Sequence, residues 1–272
     1  MSAEVATMLM VRSVALTPKA DDQGHKVRLQ VFWPTKRFWT AADVADFHAS
    51  AEGIAARLSK EEYWNRSGEI SINRFTCEDF ALRVLIEYAC AKHLPVKLTT
   101  GVRTYRNMEL YQAASHDSFA ANMYGFAEMV MISYGAPDMQ RAGVNTIAVA
   151  SPELLLAGDV LALAHDAKGT ATGGTAHHIQ MVAAVGAAEF SIYQGNSDSS
   201  IHRPITWIYR LMNKNVANPQ DSSYAGTPIE QGRFVKTAKN GWTYTNSKTK
   251  KSYPDYLKNF EFFRWNFMEF NK

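Results

Sequence analysis

Residues 75–86 read FTCEDFALRVLI, and this stretch predicts a buried helix that begins at a cysteine. Thr76 is a suitable N-cap, and Asp79, three positions later, can complete a capping box. Apolar residues then recur at helical spacing and cover almost the whole circumference, which is typical of a helix in the middle of a domain. Pro95 ends the pattern. Cys77 is therefore expected in the first turn of a core helix.

The first turn of a helix can activate a cysteine. Unpaired backbone N–H groups and the positive end of the helix dipole favour the thiolate, which is the nucleophilic form. A free cysteine is also a common buried apolar residue without any chemistry. The choice between the two interpretations of Cys77 depends on whether the chain supplies a base.

Composition and charge indicate a globular protein and give no support for nucleic-acid binding or a disulfide framework. The chain has 272 residues, of which 46% are hydrophobic and 20% charged, as in an ordinary globular protein of one large or two small domains. The net charge of +3 is too small to argue for nucleic acid. Cys77 and Cys90 would lie about 20 Å apart along one helix, so no disulfide is expected.

Membrane and export signals are weak. No run of 18 apolar residues occurs, so we expect no transmembrane helix. Residues 5–11 are apolar, but Glu4 precedes them where a basic region should stand, and no convincing cleavage site follows. We therefore expect synthesis in the cytoplasm without a cleavable signal peptide.

The remaining pattern predicts an α+β protein. Residues 1–60 are expected to form an N-terminal extension packed on the core, and residues 61–272 a second unit with an insertion at about 98–150 and C-terminal strands. Helices are predicted at 40–58 and 117–134, and strands at 27–33, 158–164, 178–185, 189–196, 206–211, 233–236 and 261–267.

Residues 178–185 and 189–196 have the pattern of a β-hairpin. If its turn is centred on Gly186, residues whose numbers sum to 372 face each other, so His178 faces Gln194 and Asn196 is a diagonal neighbour. Facing side chains approach to about 5 Å between Cβ atoms. A slip of one residue would exchange the roles of Gln194 and Asn196 or disrupt both.

These residues supply the three roles of a thiol catalyst. Cys77 is the candidate nucleophile, His178 the base, and Gln194 or Asn196 the partner that fixes the imidazole tautomer. His178 is preferred to the adjacent His177, because only one of the two can point to a given face of the strand.

A metal site is a less favoured reading of nearby residues. A metal site made of His165, Asp166, His177 and His178 lacks any metal-binding spacing, so no metal or cofactor is expected. Asp159 is expected to have a structural role at the entrance of its strand.

The motifs resemble those of the NlpC/P60 and CHAP-type papain-like peptidases and amidases. TCEDF at 76–80 is similar to the cysteine motif of these enzymes, and LAGDVL at 156–161 is similar to their Gly-Asp strand. HIQMV at 178–182 resembles their histidine strand, and QGN at 194–196 resembles the motif that carries their third catalytic residue. Tyr63 resembles an upstream tyrosine of NlpC/P60 enzymes. The resemblance covers residues 62–200, and it departs from the usual pattern at Thr76, at Glu78-Asp79 and at Gln194, which stands where an acid is common.

The resemblance implies a papain-like core, in which a cysteine-bearing helix packs on an antiparallel sheet. It implies a cysteine hydrolase of amide bonds, acting on stem peptides of peptidoglycan. Cys77, His178, Gln194 and Asn196 would be catalytic. The Cys77 backbone N–H would bind the oxyanion, and weaker candidates for oxyanion or substrate contacts are Tyr63, Asn73 and His177.

Without a signal peptide, such an enzyme would be a phage-type lysin or a toxin delivered by a secretion system, with an immunity protein as partner. Two alternatives stay open. One is a thiol acyltransferase or a protein-directed peptidase on the same fold, and the other is a non-enzymatic binding module in which Cys77 is inert.

Overall fold

A computed structural model describes residues 27–61, 75–112, 119–164, 175–195, 228–239 and 241–272. They form a mixed α+β structure with antiparallel sheets. Its helices and strands, in chain order, are β1 (Val27–Val31), α1 (Ala41–Glu61), α2 (Cys77–Ala91), β2 (Lys97–Thr99), β3 (Thr104–Arg106), β4 (Met108–Gln112), α3 (Met123–Met131), β5 (Thr146–Ala148), β6 (Val160–Leu163), β7 (His178–Val185), β8 (Glu189–Gln194), β9 (Glu230–Thr237), β10 (Gly241–Asn246), β11 (Ser252–Tyr253), β12 (Phe260–Trp265) and α4 (Phe267–Phe270). Short 3₁₀ turns lie at Ala136–Gln140, Pro152–Leu154 and Tyr256–Asn259.

Within the described residues, the central sheet has eight strands in the order β11-β10-β9-β8-β7-β6-β12-β5. Every neighbouring pair is antiparallel. Strand β12, although it comes last, lies between β6 and β5, so the end of the chain completes the sheet. Two small sheets pair β1 with β4 and β2 with β3.

Alternation along β7 and β8 divides the core into two layers. Ile179, Met181 and Tyr193 belong to the cluster that includes the buried faces of α1 and α2. Val182 and Ile192 belong to a second cluster on the opposite face, with Phe234, Tyr244 and Phe260 among its members. Because successive side chains of a strand point to opposite faces, position 178 and position 194 lie on this second face.

Helix α2 agrees with the sequence prediction. The Asp79 N–H donates to Thr76 Oγ1 at 3.3 Å, so Thr76 is the N-cap. Nearly every residue of the helix is buried, and it ends at Ala91, before Pro95. Both cysteines are free, as expected.

The predicted helix at 117–134 is too long. Within the described residues the helix begins at Met123, because Asn122 caps it by accepting a hydrogen bond from the Gly125 N–H. It ends at Met131. Residues 113–118 lie outside the described ranges, as does the predicted strand at 206–211.

The predicted hairpin register is also wrong. Met181 pairs with Tyr193 and Val182 with Ile192, two residues away from the prediction, and a bulge follows at Ala183. If the pairing continues, Gln180 lies opposite Gln194, and His178 is a diagonal neighbour of Gln194. On this side of the bulge the shift is two residues, which keeps facing side chains on one face, so His178 and Gln194 still share one surface.

The described part of the N-terminal extension is continuous with the core. Phe32, Trp33 and Trp39 are buried in the same cluster as α2. Strand β1 pairs with β4, which belongs to the predicted insertion. Among the described helices, none combines the length and apolar character needed to cross a bilayer.

Alanine substitutions at Gly158 and Gly143 distinguish the cost of a left-handed backbone from the cost of a steric clash. Gly158 has φ +87°, and a Cβ there would lie 2.5 Å from the Phe47 ring, whereas Gly143 has φ +82° and open space around it. Alanine at a left-handed position costs about 1–2 kcal/mol, and overpacking adds about 1–3 kcal/mol. Gly158→Ala should therefore lower the free energy of unfolding in urea by clearly more than Gly143→Ala. Equal losses would contradict the close packing of α1 on this turn.

Candidate active site

The N-terminus of α2 meets the sheet where β8 ends. A Cβ at Gly195 would lie 2.5 Å from the Thr76 carbonyl oxygen and 2.7 Å from that of Phe75, so the chain after β8 contacts the cap of α2 directly. The Ile179 backbone N–H, one residue after His178, donates to the Cys77 sulfur. The structure therefore brings the thiol to the backbone of the strand that carries His178.

His178 is held by a chain of amides on the second face of the sheet. Its Nε2 lies 3.0 Å from Gln194 Oε1, which also accepts a hydrogen bond of 2.8 Å from Gln180 Nε2. Gln194 Nε2 in turn donates to the Tyr244 hydroxyl at 3.0 Å. With its amide oxygen accepting, Gln194 fixes the proton on Nε2 of His178. Nδ1 is then the basic nitrogen of the ring.

The pKa of His178 is lowered from its ordinary value, which favours the neutral imidazole. Burial lowers the pKa of His178, and the nearby His177 lowers it further, while the hydrogen bond to Gln194 and the charge of Glu230 oppose this. A neutral imidazole with a free basic nitrogen can accept a proton. The ring is therefore in the protonation state that a general base needs.

Cys77 departs from the expected thiolate. Its side chain is only 7% exposed, and its Sγ–H donates to Glu78 Oε2 at 2.8 Å. Burial, together with the charge of Glu78, raises the pKa of Cys77 well above its ordinary value, and the Ile179 N–H opposes this only in part. The expectation of a thiolate was therefore wrong for this structure. The resting sulfur is a thiol, and its hydrogen bond goes to Glu78 and not to His178.

The first turn of α2 carries two further buried acids. Burial raises the pKa of Glu78, against hydrogen bonds with Cys77 and Thr76. Burial and the charge of Glu78 raise the pKa of Asp79 well above its ordinary value. Asp138, from the 3₁₀ turn after α3, adds negative charge near Glu78. The cysteine thus lies in an acidic, water-poor environment.

The other predicted site residues divide into two groups. Tyr63, Asn73, Asn196, His165 and Asp166 lie outside the described residues. His177 is exposed, and its backbone N–H bonds to the Leu163 carbonyl.

Asp159 has the structural role predicted for it. Its two carboxylate oxygens accept from Arg264 at 2.9 and 2.7 Å, and one also accepts from the Leu156 N–H. In the part of the chain that the structure describes, no three His, Cys, Asp or Glu side chains are grouped to hold a metal ion.

Sequence reasoning missed four residues of the site. Gln180 stands two positions after His178, so its location on the same face could have been recognised from strand alternation alone. Glu230 is the ladder partner of Gln194 and accepts from Asn246 Nδ2 at 2.9 Å. Tyr244 and Glu230 belong to strands whose pairing the sequence did not predict. Glu78 was noticed only as a departure from the family motif.

A polar cavity of about 260 Å³ lies next to this region. It is lined by Tyr193 and Glu230, together with Ser59, Ile229, Gln231, Ser247 and Lys248. Tyr193 directly precedes Gln194, so the cavity adjoins the strand end that carries the site.

Comparisons of this chain with protein-family models, curated proteins and solved structures find no match.

Because His178 is hydrogen-bonded to Gln194, a charge introduced at position 194 should change the pKa of His178. Gln194→Glu places a carboxylate against Nε2, and an adjacent opposite charge shifts a pKa by about 1–3 units. The pKa of His178, followed by NMR titration, should rise by at least about one unit. Gln231→Glu is the matched control, because that amide binds Tyr193 on the other face, and it should change the pKa much less. Equal shifts in both variants would contradict the contact.

Proposed function

We propose that this protein is a cysteine hydrolase that cleaves amide bonds, with Cys77 as the nucleophile, His178 as the general base and then acid, and Gln194 as the residue that orients the imidazole. One observation carries the proposal. The His178–Gln194 hydrogen bond fixes a basic nitrogen on β7, and the Cys77 sulfur accepts a hydrogen bond from the next residue of that strand. Acyl transfer requires at least a nucleophile, a base and an orienting group. The proposal therefore requires the Cys77 thiol to reach His178 Nδ1 at the end of the strands.

The reaction would proceed in two halves. The Cys77 thiol transfers its proton to His178 Nδ1 as sulfur attacks the substrate carbonyl, and the C=O electron pair moves onto oxygen. The Cys77 backbone N–H, at the helix N-terminus, stabilises this oxyanion. Collapse breaks the C–N bond, and the amine leaves with the proton from His178. Water then transfers a proton to His178 and attacks the thioester, and the released sulfur recovers its proton.

A neutral amide in the third position limits its role to orientation. Gln194 fixes the ring and its tautomer, but it brings no charge to stabilise the imidazolium that forms during the reaction. Glu230 is a source of that charge, because it is buried on the adjacent strand and raises the pKa of His178. The two roles of an acidic third residue are thus divided between Gln194 and Glu230.

The resemblance to NlpC/P60 and CHAP-type enzymes is the basis for proposing a papain-like core and a peptidoglycan stem peptide as the substrate. The protein would then be a phage-type lysin or a toxin delivered through a secretion system, and the toxin would have an immunity protein in the producing cell. A helix that presents its N-terminal cysteine to an antiparallel sheet is consistent with such a core. A thiol acyltransferase or a protein-directed peptidase would follow the same steps with a different acceptor or substrate.

A second candidate is favoured by the state of the thiol. Cys77 is buried, protonated and bonded to Glu78, as a structural cysteine of a non-enzymatic binding module would be. The two candidates differ in one chemical consequence. Only in the hydrolase does the reactivity of Cys77 depend on His178.

Hydrolysis can be tested with purified peptidoglycan fragments. New amino groups, measured with a fluorescent amine reagent and assigned by mass spectrometry, should appear with the unmodified protein. Cys77→Ala should reduce their rate of formation by about a thousandfold or more, because it removes the nucleophile. Cys90→Ala is the matched control and should retain activity. Release of amines by Cys77→Ala would contradict the mechanism, and no release by any of the three proteins would exclude peptidoglycan as the substrate.

A further inference from the structure

The contact between Cys77 and Glu78 is unusual for a helix. Side chains at consecutive helical positions normally diverge and do not face each other. Here they are joined by a hydrogen bond of 2.8 Å between thiol and carboxylate, and both residues are buried. The contact is possible in the first turn because no preceding helical turn occupies the space there. This hydrogen bond holds the thiol proton of Cys77, the nucleophile of the proposed reaction.

The groups around this contact are mostly acidic or neutral. Asp79 lies on the same turn, and Asp138 acts on Glu78 from the 3₁₀ turn. Tyr134, which precedes that turn, is fully buried within the field of Glu78. From β7, the Ile179 N–H faces the sulfur, and His178 is the next titratable group of that strand. Arg141 is bonded to Asp138 and offsets part of its charge.

We propose that Glu78 is a brake on the nucleophile: it keeps the Cys77 thiol protonated and directed away from His178 until this hydrogen bond is broken. The inference rests on the proposed hydrolase function. Rotation of the thiol out of the Glu78 contact directs its proton to His178 Nδ1, which is the first step of the reaction. The resting enzyme is thus held in an unreactive form.

Glu78 does not serve as the base itself. A carboxyl group is ordinarily far more acidic than a thiol, and burial with an adjacent carboxylate raises the pKa of Cys77 further. Each unit of difference in pKa makes proton transfer tenfold less favourable. An imidazole is the better acceptor, and the one in this site is neutral. The carboxylate therefore stabilises the thiol and opposes the thiolate.

Glu78→Gln tests the brake, because it removes the charge and keeps the shape. Alkylation of Cys77 by iodoacetamide at pH 7, followed by peptide-resolved mass spectrometry, should become about three- to tenfold faster, since a fall of one pKa unit raises the thiolate fraction about tenfold while lowering its nucleophilicity. The midpoint of the pH–rate profile should move to lower pH. Cys90 in the same molecule is an internal reference for Glu78→Gln. It does not serve as one for Glu87→Gln, because burial and the charge of Glu87 both raise the pKa of Cys90.

Glu87→Gln is the matched control, because Glu87 lies on the same helix but binds Arg83 and Arg57 instead of the thiol. It should leave the alkylation rate of Cys77 unchanged. An unchanged rate in Glu78→Gln would overturn the inference, and a slower one would make Glu78 the base and overturn it equally. Adding His178→Ala to Glu78→Gln should remove most of the gain. If the gain persists, the hydrolase proposal fails while the brake stands.

If Glu78→Gln does not fold, the inference can be tested by infrared spectroscopy of a protein that retains Glu78. In Cys90→Ser the only thiol is Cys77, and its S–H stretching band can be observed by infrared spectroscopy. The brake requires this band to be present at pH 8 and displaced by hydrogen bonding. Its absence would indicate a thiolate and overturn the inference.

Discussion

The contact between the first turn of α2 and the ends of β7 and β8 is the constraint on which the site depends. Gly195 allows it, because the space that a Cβ would take is occupied by the carbonyl oxygens of Phe75 and Thr76. The same approach brings the Cys77 sulfur to the Ile179 N–H. Helix packing alone would leave the thiol and the imidazole on opposite faces of the sheet. The proposed reaction requires the two groups to meet at this strand end.

Two opposing electrostatic effects act on Cys77, and their magnitudes decide its state. Charge at a helix N-terminus is stabilised by about 0.3–1 kcal/mol at exposed sites and up to about 2 kcal/mol when partly buried. Removing an ion from water costs several kcal/mol in real proteins. Cys77 is buried beside a carboxylate, so the cost is larger than the gain, and the thiol stays protonated. At Cys77 the helix N-terminus therefore does not offset the cost of burial beside a carboxylate.

Local patterns predicted part of the fold, whereas the short strands β2 to β5 and the strands β10 and β11 were not predicted. The cap at Thr76, the apolar face of α2 and the strands β7 and β8 all follow from short-range signals, and the structure contains them. The hairpin register was wrong because the turn spans Gly186 to Glu189 and is not centred on Gly186, which shifts the pairing next to the turn by three residues. A bulge near Ala183 then reduces the shift to two residues. The insertion of β12 between β5 and β6 has no local signal at all.

In the candidate site, too, the sequence predicted the contact within one hairpin and not the contacts between distant strands. The His178–Gln194 hydrogen bond was expected, and it forms although the two residues are diagonal instead of opposite. Tyr244 and Glu230 reach Gln194 through pairings between strands that are distant in sequence, so pattern alone could not identify them. The bond between Cys77 and Glu78 depends on side-chain rotamers in the first helical turn, which the residue types do not specify.

The proximity of Cys77 and His178 can be measured directly by ¹⁵N NMR of the His178 ring before and after Cys77 is converted to its S-methylthio form. If the thiol and Nδ1 share one site, the Nδ1 resonance should move on modification, while Nε2, held by Gln194, should stay nearly constant. An Nδ1 resonance that is unaffected by the modification would show that the two groups do not meet, and would contradict the proposed catalytic site.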